Sequence, residues 1–308
     1  MTEPRYVYGP VPSRRLGLSL GIDIIPRKTC TLDCVYCQCG RTTGKTLERR
    51  SFYPVEDILA QAREAVKGRK VEFLTFSGEG EPTLNKDIGR LIRRLKAEFT
   101  IPVAVITNST LMTDAAVRHD LYAADLVMPS LDAADQRTFC RVDRCHRHLA
   151  VAAIIRALIL FRRYYHGRMW LEIMLVKGIN DSPEHLMKLR RAVADINPDR
   201  VQLNTVVRPP AEPWAKPMSH DDLVQIQMLF GPGADIVDLP VGTRQRRFRG
   251  DPDEAIVTLV SGRPVTRDDI TRSLGIERRQ LNRAIQRLLR RHRVKRTEFW
   301  GKVFYEPA

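Results

Sequence analysis

Four of the chain's six cysteines fall within ten residues, at positions 30, 34, 37 and 39, and only Cys140 and Cys145 lie elsewhere. A disulfide framework would spread its cysteines along the chain, so this crowding points to metal or redox chemistry. Cys30, Cys34 and Cys37, spaced four and then three apart, can converge on one centre from a single loop. Soft thiolates select zinc, copper(I) or iron–sulfur clusters. Three ligands on a four-iron cubane leave one iron open, which suits a cluster that binds a small molecule. A four-thiolate zinc site is the competing reading. It would need Cys39 as well, and the single residue between Cys37 and Cys39 is awkward beside the usual gap of two to four. Cys39 is therefore expected to be a bystander thiol.

Other chemistry-bearing residues give weaker signals. Cys140 and Cys145, near His146 and His148, can be read as an auxiliary metal pair or hydrogen donor, or more simply as ordinary side chains at a helix entrance. Arg14-Arg15 and Arg208-Pro-Pro fit either a phosphate contact or a solvated surface.

The elements that must position the cysteines follow from apolar patterning. Short β-type runs at 19–25, 71–77, 102–108, 125–131, 169–176 and 200–207 alternate with amphipathic helical stretches, among them 55–66, 86–99 and 183–196. Six β-then-α units with strands apolar on both faces predict a parallel sheet covered by helices. Right-handed crossovers would wind it into a barrel or an open sheet, and periodicity alone does not choose between them. The cysteine loop follows the first run, at the sheet edge where such folds build ligand sites.

Cys30-Thr-Leu-Asp-Cys34-Val-Tyr-Cys37 resembles the C-x3-C-x2-C motif of the radical S-adenosylmethionine (SAM) superfamily, including the aromatic Tyr36. Further elements agree in order over about 240 residues. Ser77-Gly-Glu-Gly-Glu-Pro82 is similar to the family's GGEP turn through Gly80, Glu81 and Pro82, with Glu79 in place of a glycine. Thr107-Asn108-Ser109 resembles its TNG-type turn. Ser130-Leu131-Asp132 resembles the strand end that faces the SAM ribose and carboxylate, and Val176–Asp181 closes the fifth strand as in many members. Residues 9–23, GPVPSRRLGLSLGID, resemble a subgroup related to wyosine-forming radical SAM proteins.

The resemblance implies a partial (β/α)6 barrel, a [4Fe-4S] cluster on Cys30, Cys34 and Cys37, and SAM bound near Tyr36, Gly80, Glu81, Asn108, Ser130 and Asp132. It also implies reductive cleavage of SAM to a 5′-deoxyadenosyl radical that abstracts hydrogen from a substrate. A flavodoxin- or ferredoxin-like protein would be the electron donor. Glu81 offers acceptors for an ammonium group, and Asn108 and Ser130 can bond ribose hydroxyls. No cluster-rich cysteine run near the C-terminus suggests a second iron–sulfur centre.

A different module is expected from about residue 248, which divides the chain into a core at 1–247 and a basic domain at 248–308. Apolar residues at helical spacing mark a helix at 253–261. Thr266 and Asp269 form a capping-box pattern for a second helix that stops at Gly275. A third helix, from Glu277 to about His292, buries Leu281, Ala284, Ile285, Leu288 and Leu289, with Arg279, Arg283 and Arg290 opposite. Two β-type runs hinged at Gly301 follow. Three helices and a hairpin predict a winged helix-turn-helix.

Residues 241–308 carry 17 Lys and Arg against 8 Asp and Glu, while the net charge of the chain is +15. That surplus favours a polyanionic partner, RNA or DNA, for the module. The composition, 43% apolar and 28% charged, is that of a globular protein. The longest apolar stretch, 149–161, is interrupted by Arg156 and reads as a buried helix rather than a membrane span. The first residues lack a signal-peptide pattern, so a cytoplasmic protein is expected. Three functions fit: a radical SAM enzyme acting on RNA, one acting on a protein or small molecule with the module recruiting a partner, and a DNA-binding iron–sulfur regulator.

Overall fold

The computed structural model describes residues 4–237 and 250–308. Its main sheet contains β1 (Val7–Ser13), β2 (Gly17–Ile22), β3 (Phe73–Phe76), β4 (Val103–Thr107), β5 (Leu126–Pro129), β6 (Arg168–Leu175), β7 (Arg200–Thr205) and β8 (Ala234–Ile236), side by side in chain order. From β2 onward every neighbour pair is parallel, and β1 returns antiparallel on β2. The six expected strands are all present. Two edge strands, β1 and β8, were not expected. The sequence of β1, VYGPVPS, carries Gly and Pro that hide a strand signal, although an edge strand tolerates them.

The first expected strand ends three residues early, at Ile22. The Asp23 carboxylate accepts from the backbone of Ile25 at 3.2 Å and Glu79 at 3.0 Å, which turns the chain out of the ladder. Ile24 and Ile25 then pack as core instead of pairing.

Helices α1 (Val55–Val66), α2 (Ile88–Glu98), α3 (Ala115–Leu121), α4 (Gln136–Val142), α5 (Val151–Tyr164), α6 (Pro183–Ile196) and α7 (His220–Phe230) accompany the crossovers. Each of the longer ones presents an apolar stripe to the sheet. Helix α1 buries Val55, Ile58, Leu59 and Ala62, and α5, the apolar stretch noted above, buries Val151, Ile154, Ala157, Leu158 and Phe161. Start signals are explicit in α6, where Ser182 accepts from the His185 backbone ahead of Pro183.

Side chains decide between barrel and open sheet. Five strand spacings separate β2 from β7, roughly 24 Å in a flat sheet. Yet Arg14, in the turn before β2, donates from Nη1 to Asn204 Oδ1 of β7 at 3.1 Å, and Arg15 meets Glu172 of β6 at 2.6 Å. The sheet therefore curls into an incomplete barrel, and polar residues of its inner face share one interior.

Beyond it lie α8 (Pro252–Gly262), α9 (Arg267–Leu274), α10 (Arg278–Arg290), β9 (Val294–Phe299) and β10 (Lys302–Pro307), the last two an antiparallel hairpin. The Thr266–Asp269 capping box forms in both directions, and α9 stops at Gly275 in the left-handed region at φ 64°. These elements share a core of their own around Ile256, Leu281, Ile285 and Tyr305, against which Val11 of β1 packs. The expected division at 247/248 lies outside the described residues. Among the described residues no helix is long and apolar enough to cross a membrane.

Candidate functional site

The cysteine loop leaves β2 and is pinned at both ends. Thr29 and Cys30 pair in parallel with Gly44 and Lys45. Farther on, the backbone amides of Asp33 and Val35 donate to the carbonyls of Asp143 and Val142 at 3.0 Å each, so the end of α4 holds the loop's centre. Cys30, Cys34, Cys37 and Cys39 are all half-buried and line one cavity of about 1430 Å³ on the inner face of the sheet. Sequence spacing and tertiary placement therefore agree on a thiol-lined site.

Burial, followed by Glu81, pushes Cys30 up to about 12, and burial with Asp143 pushes Cys34 well above the usual thiol range. Cys37 goes the other way. A hydrogen bond from Cys39 outweighs its burial and, with Lys28, brings it down to about 6. Two of the three thiols thus bind a metal only by giving up protons held by desolvation, a cost that a multiply charged iron centre offsets. Cys39, expected to be a bystander thiol, lies beside Cys37 and donates a hydrogen bond to it. Among the described residues, no three His, Cys, Asp or Glu side chains are gathered closely enough to hold a single metal ion.

The GEGEP turn crosses over this loop. Lys28 donates its backbone N–H to Glu79 O at 3.0 Å, and Glu81 donates its own to Thr29 O at 3.1 Å. The approach is so close that a Cβ on Gly80 would lie 2.3 Å from Thr29 O. The Glu81 carboxylate is buried and lines the cavity. Its Oε1 accepts from Thr83 N at 3.0 Å, Thr83 Oγ1 at 2.6 Å and Thr107 Oγ1 at 2.6 Å, and its Oε2 accepts from Asn108 N at 2.7 Å. Its first task is thus to lock the end of β4 to the turn after β3, with spare acceptor capacity only on Oε2. Asn108 continues the network, donating from Nδ2 to Thr31 Oγ1 at 2.8 Å and to Cys30 Sγ at 3.4 Å. Ser109, at φ 69°, bonds the Ser130 carbonyl at 2.6 Å and so joins the ends of β4 and β5.

The Tyr36 hydroxyl donates to Asp132 Oδ2 and faces Asp143 Oδ1 at 3.5 Å, while Cys34 Sγ donates to that same Asp143 oxygen at 3.2 Å. Asp132 also accepts from Met174 N at 2.8 Å, and Asn180 binds the Asp132 carbonyl at 2.8 Å. Burial pushes Asp132 up to about 7 and Asp143 well above the carboxylate range.

Every expected site residue except Asp132 lines the large cavity, and Asp132 lies behind Tyr36 in a small adjoining one. Asp143 was missed, because nothing in its spacing marks it before α4 and the loop are brought together. Cys140 and Cys145 lie outside this site, with Sγ atoms 3.0 Å apart. Arg14, Arg15 and Arg208, left open by the sequence, do line the cavity.

A profile of the Radical SAM superfamily matches residues 24–190. A UPF0026 protein of Methanocaldococcus jannaschii is 35% identical over 97% of this chain and 94% of its own length. A Brachyspira hyodysenteriae protein named GTPase Obg is 35% identical over 98% of this chain, which spans only 45% of that protein. Among solved structures, a radical SAM methyltransferase from Sphaerobacter thermophilus shares the fold with a TM-score of 0.54 at 21% identity, covering 71% of this chain and 65% of its own.

Proposed function

Because the chain belongs to the radical SAM superfamily, and so is an enzyme that uses SAM and a [4Fe-4S] cluster, we propose that it modifies RNA at the thiol-lined cavity. Cys30, Cys34 and Cys37 would hold the cluster, and their soft donor set in one half-buried loop fits it. When bound, the cluster supplies the electron that cleaves SAM to methionine and a 5′-deoxyadenosyl radical able to abstract hydrogen.

The chain's own residues orient and enclose. Asn108 restrains Cys30, and the Tyr36–Asp132–Asp143 group backs Cys34. Gly80, Glu81 and Ser130 form the cavity wall assigned to SAM, and Asp132 supports it from behind Tyr36.

The exposed arginine face of α10 carries the RNA assignment. Arg279, Arg283 and Arg290 are exposed on the side opposite its buried Leu281, Ala284, Ile285 and Leu288, and none forms an ion pair among the described residues. Arg287, by contrast, is locked to Asp253 at 2.7 Å. Such a cationic face suits phosphates, and a winged helix-turn-helix would present it to a nucleic acid.

Anaerobically reconstituted protein is expected to contain about four irons per chain and to cleave SAM under strong reductant. Cys34→Ala loses both, and Cys39→Ala keeps both. Replacing Arg279, Arg283 and Arg290 by Ala should weaken tRNA binding and lower its salt slope by about one per arginine. An unchanged slope, or no altered nucleoside in the RNA of cells lacking the protein, removes the RNA reading and leaves the SAM chemistry standing.

A further inference from the structure

Arg14, Arg15, Arg208 and Arg263 all line the same cavity as the three cysteines, and they arrive from three distant parts of the chain. Arg208 is only 8% exposed. Among the described residues, the hydrogen-bond acceptors of Arg14 and Arg208 are neutral. Arg14 binds Asn204 Oδ1 at 3.1 Å, and Arg208 binds Pro264 O at 3.1 Å and Gln38 Oε1 at 3.3 Å. The two nearby carboxylates are engaged elsewhere. Glu172 is paired with Arg15 at 2.6 Å and accepts from Asn204 at 2.8 Å, while Asp269 caps α9 and pairs with Arg272 at 3.0 Å.

Arg14 and Arg208 thus stand at the cavity wall with no carboxylate bonded to either among the described residues, and Arg208 is buried there. Burial first, then the neighbouring arginines, bring Arg208 down to about 9 and Arg14 to about 10. Buried charge is costly unless paired, so a positive surplus held inside a protein marks a place where an anion is supplied from outside. Guanidinium forks match phosphate oxygens two at a time.

We propose that Arg14 and Arg208 bind a phosphate group of the substrate at the junction between the barrel and the C-terminal module, beside the cysteine loop. Position supports this in two ways. Gln38, the partner of Arg208, stands directly between Cys37 and Cys39, so an anion held there lies next to the cluster loop. Pro264, its other partner, belongs to the connection between α8 and α9, so the module completes the site. The cavity, at about 1430 Å³, exceeds the few hundred to 1,000 Å³ typical of a single small ligand, which leaves space for a phosphorylated group beside SAM. The inference rests on the cysteine loop being the reacting centre, and it holds whether that phosphate belongs to RNA or to a small molecule.

Pyrophosphate binding to the reconstituted full-length enzyme, titrated by calorimetry with SAM present, tests it. Saturable binding is expected, weakened at least tenfold in Arg14→Gln and in Arg208→Gln. Arg14→Lys should fall between, because it keeps the charge and loses the fork. Arg14→Gln stays informative if Arg208→Gln unfolds, since the side chain of Arg14 bonds only Asn204 among the described residues. Absent pyrophosphate binding, or binding equally tight in the variants, overturns the proposal. So does a tenfold loss of SAM affinity in parallel, which would give the arginines to the SAM carboxylate. Iron content and SAM cleavage, read on the same samples, report separately on the cluster assignment.

Discussion

The side-chain amide of Asn108 donates to the sulfur of Cys30 at 3.4 Å, across a separation of 78 residues. Hydrogen bonds to cluster sulfurs stabilise the reduced, more negative state and raise the reduction potential. Asn108→Ala is therefore expected to shift the cluster midpoint to a more negative value in a titration followed by electron paramagnetic resonance. It also removes the bonds to Thr31 and Thr110, at a cost of about 1–3 kcal/mol. An unmoved midpoint would mean that Asn108 turns away from the sulfur once the cluster is in place.

Glu81 is the acceptor for four donors from three residues. Glu81→Ala strands them in a buried site and should cost at least about 3 kcal/mol in chemical denaturation. Glu81→Gln keeps an oxygen for the three donors on Oε1 and sets an amide against Asn108 N–H, so its loss should be smaller. Equal losses for Ala and Gln would show that the Asn108 contact dominates the network.

Gly80 has no space for a side chain, since a Cβ would meet Thr29 O at 2.3 Å and Ile25 Cγ2 at 2.5 Å. Because one obstacle is backbone, Gly80→Ala must displace the cysteine loop, costing about 1–3 kcal/mol and lowering the iron retained after reconstitution. Gly233→Ala, with open space around its Cβ, should retain iron like the parent.

Asp135 caps α4 through Thr138 N at 2.9 Å and meets His185 Nδ1 at 3.0 Å. Burial pushes its carboxyl up, but these bonds outweigh it and bring it from 3.8 down to about 2. A carboxyl depressed in the folded state adds stability above its unfolded pKa and loses it as pH falls through the folded one. The advantage of the parent over Asp135→Ala, about 1–2 kcal/mol at pH 7 after allowance for partial exposure, should shrink between pH 4 and 2. Urea unfolding of cluster-free protein at each pH measures it, and a constant difference would rule out the titration.

Much of the fold was legible because its signals are local. The 0, 3, 4, 7 spacing of Leu281, Ala284, Ile285 and Leu288 fixes a helix face whatever it packs on. Thr266 and Asp269 need only each other to cap α9. The strand β1 was not legible, since its Gly and Pro residues mimic a loop and only pairing with β2 makes it a strand.

The sequence by itself determined the cysteine loop, the polar turns that follow each strand and the basic helix of the C-terminal module, because each depends on residues within a few positions of one another. Its apolar patterning, apart from the family resemblance that implies a partial barrel, left two matters open: whether the sheet closes on itself, and what Arg14 and Arg208 do. The tertiary structure decided the first by curling β2 toward β7 until Arg14 reaches Asn204, 190 residues away. That same curl gathers the arginines and the cysteines around one cavity, and Asp143 behind Cys34. No periodicity carries such information, because it depends on how far a whole sheet bends rather than on the spacing of any neighbouring residues.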